Sequence, residues 1–485
     1  MKQNLLLAAL LLLCIARLWL MPLSSSFWVD EMGTVFVVRH GPHDPSLRAV
    51  PQVPASIYYV LPRVTAGLFG PSEIAFRLPS VLALALALYL IARIAGRLIH
   101  PGAAWFAAFA CLSLRGFNYQ AADARPYALG TLVAAAAFRF LIRWLDSARW
   151  RDALLFALAA ALLWRVHLVF WPVYAVFALY TLVRFWRADT HAGWRQILTV
   201  FGLCMLSLMP VLFGALALYR QAGAHVIAPM PTAMDLIRTL KPGLIAVYIA
   251  GAALVGLARI RPLPSVSSQS LILGWWLIQP LSLFAFSWAT SNSLFVHRYL
   301  DIALPGAALA ATAGAAAFLP VTRWKPASML LGILLLMLLG DWSQAWPPHH
   351  HSDWRAAAQA LNGLPSGLLV FCPSPFIEAR PPVWQPGTPA AGFLYSHLEV
   401  YPVHGKLIAF PYATSPEAEQ FASALVRQVR TSATRFAIYG ATYVLPGWRD
   451  WFAARPELFG WRSRSLGPFG DVDVVVFELP SAQPG

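Results

Sequence analysis

Phe27-Trp28-Val29-Asp30-Glu31 is the stretch around which the chain is organised. It follows an apolar run, Leu5–Met21, that is close to the length of a membrane span and contains a single charged residue, Arg17. Two adjacent carboxylates at the mouth of such a span are costly to remove from water, so they indicate a functional role. The alternative is that Asp30 or Glu31 only caps a helix at the membrane interface.

The composition is that of a polytopic membrane protein. Of the 485 residues, 59% are hydrophobic and only 12% are charged, and the mean hydropathy is +0.60. Soluble globular domains contain about 25% charged residues. The net charge of +15 would suggest nucleic acid in a soluble protein, but basic cytoplasmic loops account for most of it here. We therefore predict no nucleic-acid partner.

The first apolar run has two interpretations. Because Lys2 precedes it, the run could be a signal peptide cleaved near Ser24-Ser25-Ser26. We favour an uncleaved span, since cleavage would remove the anchor of the Asp30-Glu31 element.

Apolar runs of span length recur along the chain and predict about eleven transmembrane helices. The third and fifth are short or interrupted, so the count could differ by one or two. The runs are 4–22, 78–98, 103–118, 127–145, 152–168, 169–186, 197–218, 243–258, 270–288, 299–319 and 326–345.

Basic residues orient these spans. With a cytoplasmic N-terminus, every inner loop is basic. These loops contain Arg93 and Arg97, Arg143, Arg149 and Arg151, Arg184, Arg187 and Arg195, Arg259 and Arg261, and Arg323 and Lys325. The outer side then receives 23–76, 114–126, 219–242, 289–298 and the residues after about 346.

The composition changes after residue 346, where Pro347-Pro348 begins a less apolar region. Residues from Asp353 to Leu361 and from Glu417 to Arg430 favour helices. Gly367–Cys372, Arg435–Gly440 and Val472–Leu479 favour strands. We therefore predict a membrane domain of residues 1–346, with a first outer loop of 23–76, and an α/β domain of residues 347–485.

Metal binding is not predicted. The four cysteines are isolated and form no CxxC pair. The three consecutive histidines His349-His350-His351 cannot all face one ion on a regular element, and no further ligand is evident nearby.

Arginines on the outer side go against the positive-inside pattern. Arg125 precedes Tyr127 by two residues, and Arg298 directly precedes Tyr299. A basic and aromatic cluster at the membrane surface suits a lipid phosphate. The alternative for each arginine is headgroup anchoring by snorkelling. Further outer arginines are Arg77 and Arg115.

The chain resembles the GT-C glycosyltransferases at several motifs, and more closely the bacterial protein-O-mannosyltransferase and aminoarabinose-transferase clan (glycosyltransferase family 39-like). The resemblance covers most of the first 140 residues and scattered points up to about residue 360. The motifs are Phe27–Glu31, Leu68–Ser80 with its Arg-Leu-Pro-Ser end, Asp123–Leu129, His297–Pro305 and Asp353-Trp354-Arg355.

The resemblance implies an inverting, metal-independent transfer from a polyprenyl-phosphate-linked sugar, without a cofactor. Asp30 would be the general base and Glu31 its helper. Arg298, Arg125 and Tyr299 would bind the donor phosphate, while Asp123, Tyr127 and Tyr58 would position the acceptor or the sugar. The acceptor could be a lipid, a glycan or a protein. The implied location is the bacterial inner membrane, with the C-terminal domain in the periplasm.

One stretch departs from the family pattern. Many relatives carry His-Pro-Pro or Lys-Pro-Pro before a Leu-Tyr-Tyr run, whereas Pro54–Tyr59 lacks the polar or basic member. Gln52 or Arg48 could replace it, and the departure bears on donor phosphate contacts.

Two other function classes compete with an enzyme. A transporter or flippase of lipid-linked sugars would show repeats and ionisable residues near mid-span, whereas here such residues gather at one face. A non-catalytic scaffold would use the outer domain to recruit a partner and would not need Asp30.

Overall fold

The computed structural model describes residues 2–53, 56–220, 228–256, 260–339, 342–365 and 367–480. Helices dominate up to residue 339. In chain order the helices are α1 (Lys2–Ile15), α2 (Val29–His40), α3 (Val60–Phe69), α4 (Glu73–Leu98), α5 (Ala103–Leu112), α6 (Arg115–Tyr119), α7 (Tyr127–Ser147), α8 (Trp150–Val166), α9 (Val173–Trp186), α10 (Trp194–Tyr219), α11 (Ala233–Leu240), α12 (Pro242–Gly256), α13 (Val266–Thr290), α14 (His297–Leu300), α15 (Leu304–Ala316), α16 (Trp324–Leu339), α17 (Trp354–Asn362), α18 (Ser396–Val400), α19 (Pro416–Ser432) and α20 (Leu445–Ala453).

The C-terminal region contains one five-stranded mixed sheet in the order β2-β1-β3-β5-β4. Strand β1 is parallel to β2 and β3, while β5 is antiparallel to β3 and β4. The strands are β1 (Leu369–Pro373), β2 (Lys406–Phe410), β3 (Arg435–Ala441), β4 (Arg462–Ser465) and β5 (Val472–Glu478).

The chain forms two compact units. The first, here called the membrane unit, comprises Met1–Leu23 and Ala55–Pro347. The second, called the C-terminal unit, comprises Ser24–Pro54 and Pro348–Gly485. The sequence-based division lies after residue 346, and it places residues 23–76 in the membrane domain as the first outer loop. In the structure, Ser24–Pro54 groups with the C-terminal residues.

Nine helical segments among the described residues are long and apolar enough to cross a membrane, which confirms a multi-pass membrane protein. The third and fifth predicted runs form the shorter helices α5 and α8, of 10 and 17 residues. Arg259 and parts of the runs 243–258 and 326–345 lie outside the described residues. The nine segments are Lys2–Ser24, Glu73–Leu98, Tyr127–Ser147, Leu168–Trp186, Trp194–Tyr219, Ala233–Gly256, Val266–Thr290, His297–Ala316 and Val321–Leu339.

The third run is shorter than predicted because polar side chains end its helix. The amide of Asn118 donates to the carbonyl of Leu112 at 2.6 Å, and the hydroxyl of Ser113 donates to the carbonyl of Ala110 at 2.7 Å. These bonds satisfy carbonyls that the end of a helix leaves without partners. The chain then continues as α6 instead of extending α5.

Helices α4 and α7 lie side by side and run in the same direction, so contacts near their starts and near their ends mark the two ends of the membrane unit. At one end the hydroxyl of Ser80 donates to the carbonyl of Asp123 at 2.6 Å. At the other end Arg97 pairs with Asp146 at 3.0 Å. Close packing elsewhere depends on small residues: a Cβ on Gly306 of α15 would lie 2.3 Å from the backbone nitrogen of Trp276 in α13.

The C-terminal unit buries an aromatic core against its sheet. Phe371 of β1 packs on Phe410 at 4.9 Å and on Phe452 of α20 at 5.1 Å, while Phe436 stacks on Phe477 at 4.8 Å. The predicted helices and strands are all present, and Cys372 is a buried free thiol. Strands β2 and β4 and helices α18 and α20 are not predicted by the sequence analysis.

Candidate functional site

Asp30 and Glu31 lie in the first turn of α2 in the C-terminal unit. Glu31 is fully buried, and its Oε2 accepts a hydrogen bond from the backbone N–H of Trp28 at 3.2 Å. This is the bond that a glutamate makes three residues into a helix, so Glu31 has a capping role. Asp30 is half-buried on the same turn. Both carboxylates are favoured by the positive end of the helix dipole.

The segment before α2 is fixed by residues that follow it by more than 300 positions. The backbone N–H of Phe27 donates to the hydroxyl of Tyr401 at 2.8 Å. Trp28 stacks on His350 with ring centroids 5.1 Å apart and planes 6° from parallel. Arg355 donates from Nη2 to the carbonyl of Ser24 at 2.9 Å. The Asp-Glu and Asp-Trp-Arg motifs therefore meet within one unit.

A protonated phenol lies close enough to Asp30 to interact with it electrostatically. Tyr443 is exposed overall, but partial removal of its hydroxyl from water first, and then the charge of Asp30, raise the pKa of this phenol above its usual range. The hydroxyl of Tyr443 donates to the carbonyl of Pro375 at 3.1 Å. A polar and uncharged group therefore lies beside the carboxylate.

The histidine run at residues 349–351 makes local contacts within the C-terminal unit. The backbone N–H of His349 donates to the hydroxyl of Ser25 at 3.0 Å. Nδ1 of His350 lies 3.0 Å from the hydroxyl of Ser352 and 3.7 Å from a carboxylate oxygen of Asp471. The bond between His349 and Ser25 holds the histidine run against the segment before α2.

The predicted phosphate-binding arginines form a cluster with aromatic side chains in the membrane unit. The guanidinium carbon of Arg125 lies 6.0 Å from the ring centroid of Tyr127, and that of Arg298 lies 5.5 Å from the ring centroid of Tyr299. The two tyrosine rings are 6.2 Å apart. His167 contacts both, at 5.6 Å from Tyr127 and 5.3 Å from Tyr299. We call these five residues the arginine–tyrosine cluster.

His167 is a member of this cluster that the sequence analysis missed. It lies between α8 and α9, where its Nδ1 accepts a hydrogen bond from the backbone N–H of Val169 at 3.2 Å. Burial, followed by the charges of Arg125 and Arg298, lowers the pKa of His167 to about 3. The only sequence signal was a polar residue at the junction of two apolar runs.

Tyr58 and Asp123 belong to one hydrogen-bonded group in the membrane unit. The hydroxyls of Tyr58 and Ser80 are 3.3 Å apart, and that of Ser80 bonds the backbone of Asp123. Tyr58 is fully buried, and Asp123 is 1% exposed. The hydroxyl of Ser56 donates to the carbonyl of Val166 at 2.6 Å, next to His167. Pro54 and Ala55, in the departing stretch, lie outside the described residues.

Three other polar residues considered from the sequence have different surroundings. Arg77 is fully buried and donates to the carbonyl of Leu23 at 2.9 Å, so it fastens the end of the first span. Arg115 is exposed. Gln52 donates to Glu378 at 3.3 Å within the C-terminal unit.

These arrangements define two kinds of chemistry. The arginine–tyrosine cluster combines two permanent positive charges with aromatic faces, which suits a phosphate carried by a lipid or sugar. The first turn of α2 carries a half-buried carboxylate that can accept a proton.

The fold is that of the GT-C glycosyltransferases, and comparisons with known proteins support this. The family model described as dolichyl-phosphate-mannose-protein mannosyltransferase matches residues 53–176. ArnT from Cupriavidus metallidurans bound to undecaprenyl phosphate is similar with a TM-score of 0.58 and 11% identity, covering 99% of this chain and 98% of that chain. Its apo state gives 0.57 and 12% identity, covering 97% of both chains. No curated protein matches the sequence. The resemblance inferred from the motifs is thus confirmed.

Proposed function

We propose that this protein is a membrane glycosyltransferase. It moves a sugar from a polyprenyl-phosphate-linked donor to an acceptor hydroxyl at the outer face of the bacterial inner membrane. The observation that carries the proposal is the arginine–tyrosine cluster. In this cluster the charges of Arg125 and Arg298 both lower the pKa of His167. The GT-C fold supports the class, and the similar ArnT structure was bound to undecaprenyl phosphate.

On the donor side, the two guanidinium groups bind the phosphate and stabilise it as a leaving group. Negative charge grows on the bridging oxygen as the glycosidic bond breaks, so fixed positive charge lowers the barrier. Because His167 has a pKa of about 3, its ring is uncharged at neutral pH. The positive charge that binds the phosphate therefore comes from the two arginines. Tyr299 and Tyr127 provide the faces on which the guanidinium groups lie.

On the acceptor side, Asp30 is the general base. Its carboxylate takes the proton of the acceptor hydroxyl while the hydroxyl oxygen attacks the anomeric carbon from the face opposite the phosphate. The new carbon–oxygen bond forms as the bond to the phosphate oxygen breaks, and the electron pair leaves with the polyprenyl phosphate. The configuration at the anomeric carbon is inverted. The lipid-linked sugar is a substrate, and the reaction takes no further cofactor.

The remaining predicted residues have supporting roles in this proposal. Glu31 holds the first turn of α2 and thereby the direction of Asp30. Asp123 and Tyr58 position the acceptor or the sugar, with Ser80 joining them through hydrogen bonds. The sugar and the acceptor class are left open.

Binding of undecaprenyl phosphate tests the donor side directly. Native mass spectrometry of the full chain in detergent should show the lipid bound to the wild type. Arg298→Ala should weaken binding about 100-fold, because each charge-assisted bond to a phosphate contributes about 1.5–3 kcal/mol.

The matched control is Arg151→Ala, which removes an exposed arginine at the start of α8. This variant should bind the lipid like the wild type. Equal binding by the Arg298 and Arg151 variants, or no binding by the wild type, would contradict the assignment.

A further inference from the structure

The membrane unit contains a polar cavity that the proposed reaction does not use. Its volume is about 330 Å³, and it lies where α4 and α9 end and α13 begins. The charged residues in its wall are Arg97, Arg184, Arg187 and Asp189, and the wall also includes Ser265–Ser268.

This cavity is far from the arginine–tyrosine cluster. Tyr127 of the cluster begins α7, whereas Ile142 of the cavity wall lies one turn before Asp146 near the other end of that helix. With a rise of about 1.5 Å per residue, the 19 steps from Tyr127 to Asp146 span roughly 28 Å. The two sites therefore lie at opposite ends of the membrane unit.

The charges around the cavity leave an excess of one positive charge. Arg184 is buried and pairs with Asp146 at 3.0 Å and with Asp189 at 3.3 Å. Arg97 shares Asp146 at 3.0 Å. Two carboxylates thus hold two arginines in fixed positions. Arg187 is exposed at the cavity wall, and within the described part of the chain it makes no ion pair with an acidic side chain.

The start of α13 adds hydrogen-bond donors to the same wall. Ser265 caps this 25-residue helix by accepting from the backbone N–H of Ser268 at 3.2 Å. The first turn of a long helix carries free N–H groups and the positive end of the dipole. Ser267 is only 5% exposed and lies in the cavity wall. A serine hydroxyl in the wall can donate a hydrogen bond to a ligand oxygen.

We propose that this cavity binds a phosphate group, presented either by an anionic phospholipid headgroup or by a free phosphate. Arg187 and the Ser267 hydroxyl contact the phosphate oxygens, together with the helix N-terminus. Arg97 and Arg184 are held in the wall by their carboxylate partners, and Arg187 supplies the excess positive charge. Basic pockets between transmembrane helices are known to accept lipid phosphates, and helix N-termini favour anions. The proposal stands independently of the glycosyltransferase function.

Two probes distinguish the sources of the phosphate. The full chain in detergent is offered phosphatidylglycerol or phosphatidylcholine with the same acyl chains, and bound lipid is counted by native mass spectrometry. In parallel, thermal stability is measured with inorganic phosphate against chloride at equal ionic strength. The variants are Arg187→Gln and Ser267→Val, and Arg151→Gln is the control for loss of one exposed arginine.

A lipid site predicts that phosphatidylglycerol is retained over phosphatidylcholine, and that Arg187→Gln lowers this retention about tenfold while Arg151→Gln does not. A site for free phosphate predicts that inorganic phosphate raises the melting temperature of the wild type and not that of Arg187→Gln. Either result supports the proposal. The proposal is overturned if the wild type, Arg187→Gln and Ser267→Val show the same lipid retention and the same effect of inorganic phosphate on the melting temperature.

Discussion

Asp30 and Glu31 are adjacent in the chain but differ in their surroundings. Glu31 is fully buried and accepts the backbone N–H of Trp28, so part of its hydrogen-bonding capacity serves the start of α2. Asp30 is half-buried and interacts electrostatically with the phenol of Tyr443. Glu31 therefore has a structural role, while Asp30 is available for proton transfer. Substitutions at the two positions can distinguish these roles.

Asp30→Asn should abolish sugar transfer while leaving undecaprenyl-phosphate binding near the wild-type level. The substitution keeps the size and hydrogen bonding of the side chain but removes its basicity. Loss of a general base costs about 10²–10⁴-fold in rate. The measurement compares single-turnover transfer with lipid binding in the same preparation.

Glu31→Gln is the matched control and should reduce transfer less, since an amide oxygen can still accept the Trp28 N–H. A larger loss in Glu31→Gln than in Asp30→Asn would exchange the two roles. If neither substitution affects transfer, the reaction does not use this element.

His397 gives the C-terminal unit a dependence on pH. It is 1% exposed, packs 4.9 Å from Trp354, and within the described residues neither ring nitrogen has a hydrogen-bond partner. Burial lowers its pKa to about 3. The unfolded chain, with a pKa of about 6.5, binds the proton first as the pH falls. Stability should therefore be fully present above pH 6.5 and decrease between pH 6.5 and 3, by about 2 kcal/mol at pH 5.

Hydrogen exchange of the full chain, corrected for intrinsic rates, can measure this loss in β3 at pH 7 and pH 5. His397→Leu should remove the part of the pH dependence that His397 causes. The prediction fails if the wild type and the variant lose protection equally.

At the scale of elements, the sequence patterns predicted most helices because their signals are local. Apolar runs of about 20 residues identify spans, and Ser72 caps α4 by accepting from the N–H of Ala75 at 3.3 Å. The strands β1, β3 and β5 are apolar and buried. Strand β4 was missed because all four residues of Arg462–Ser465 are exposed and polar.

The candidate site was only partly predictable because its remaining members depend on long-range contacts. His167 joins Tyr127 and Tyr299 through packing between helices, and one histidine in an apolar stretch gives no sign of its neighbours. Likewise, the capping bond of Glu31 follows from its spacing, but the contact of Phe27 with Tyr401 spans 374 positions. The order of the motifs predicts the candidate residues, whereas the packing of the folded chain determines their partners.

At the scale of the whole molecule, the orientation in the membrane remains a prediction based on the basic inner loops. Reporter fusions after Arg151 and after Asp353 should report opposite sides, with Arg151 in the cytoplasm. The reason is that short loops rich in arginine are retained on the cytoplasmic side.

An alkaline phosphatase fusion should be active only after Asp353, and a green fluorescent protein fusion should fluoresce only after Arg151. The same side for both positions would refute the orientation.

The assignment of Ser24–Pro54 to the C-terminal unit has a consequence for biosynthesis. The segment is among the first to leave the ribosome, but its packing partners begin at Pro348, almost 300 residues later. At about 5–20 residues per second, translation of the intervening chain takes roughly 15–60 s. During that interval α2 lacks the side chains that hold it, including Tyr401 and Arg355. The Asp30 element therefore becomes fixed only near the end of synthesis, so a chain released early would hold its spans without an ordered carboxylate.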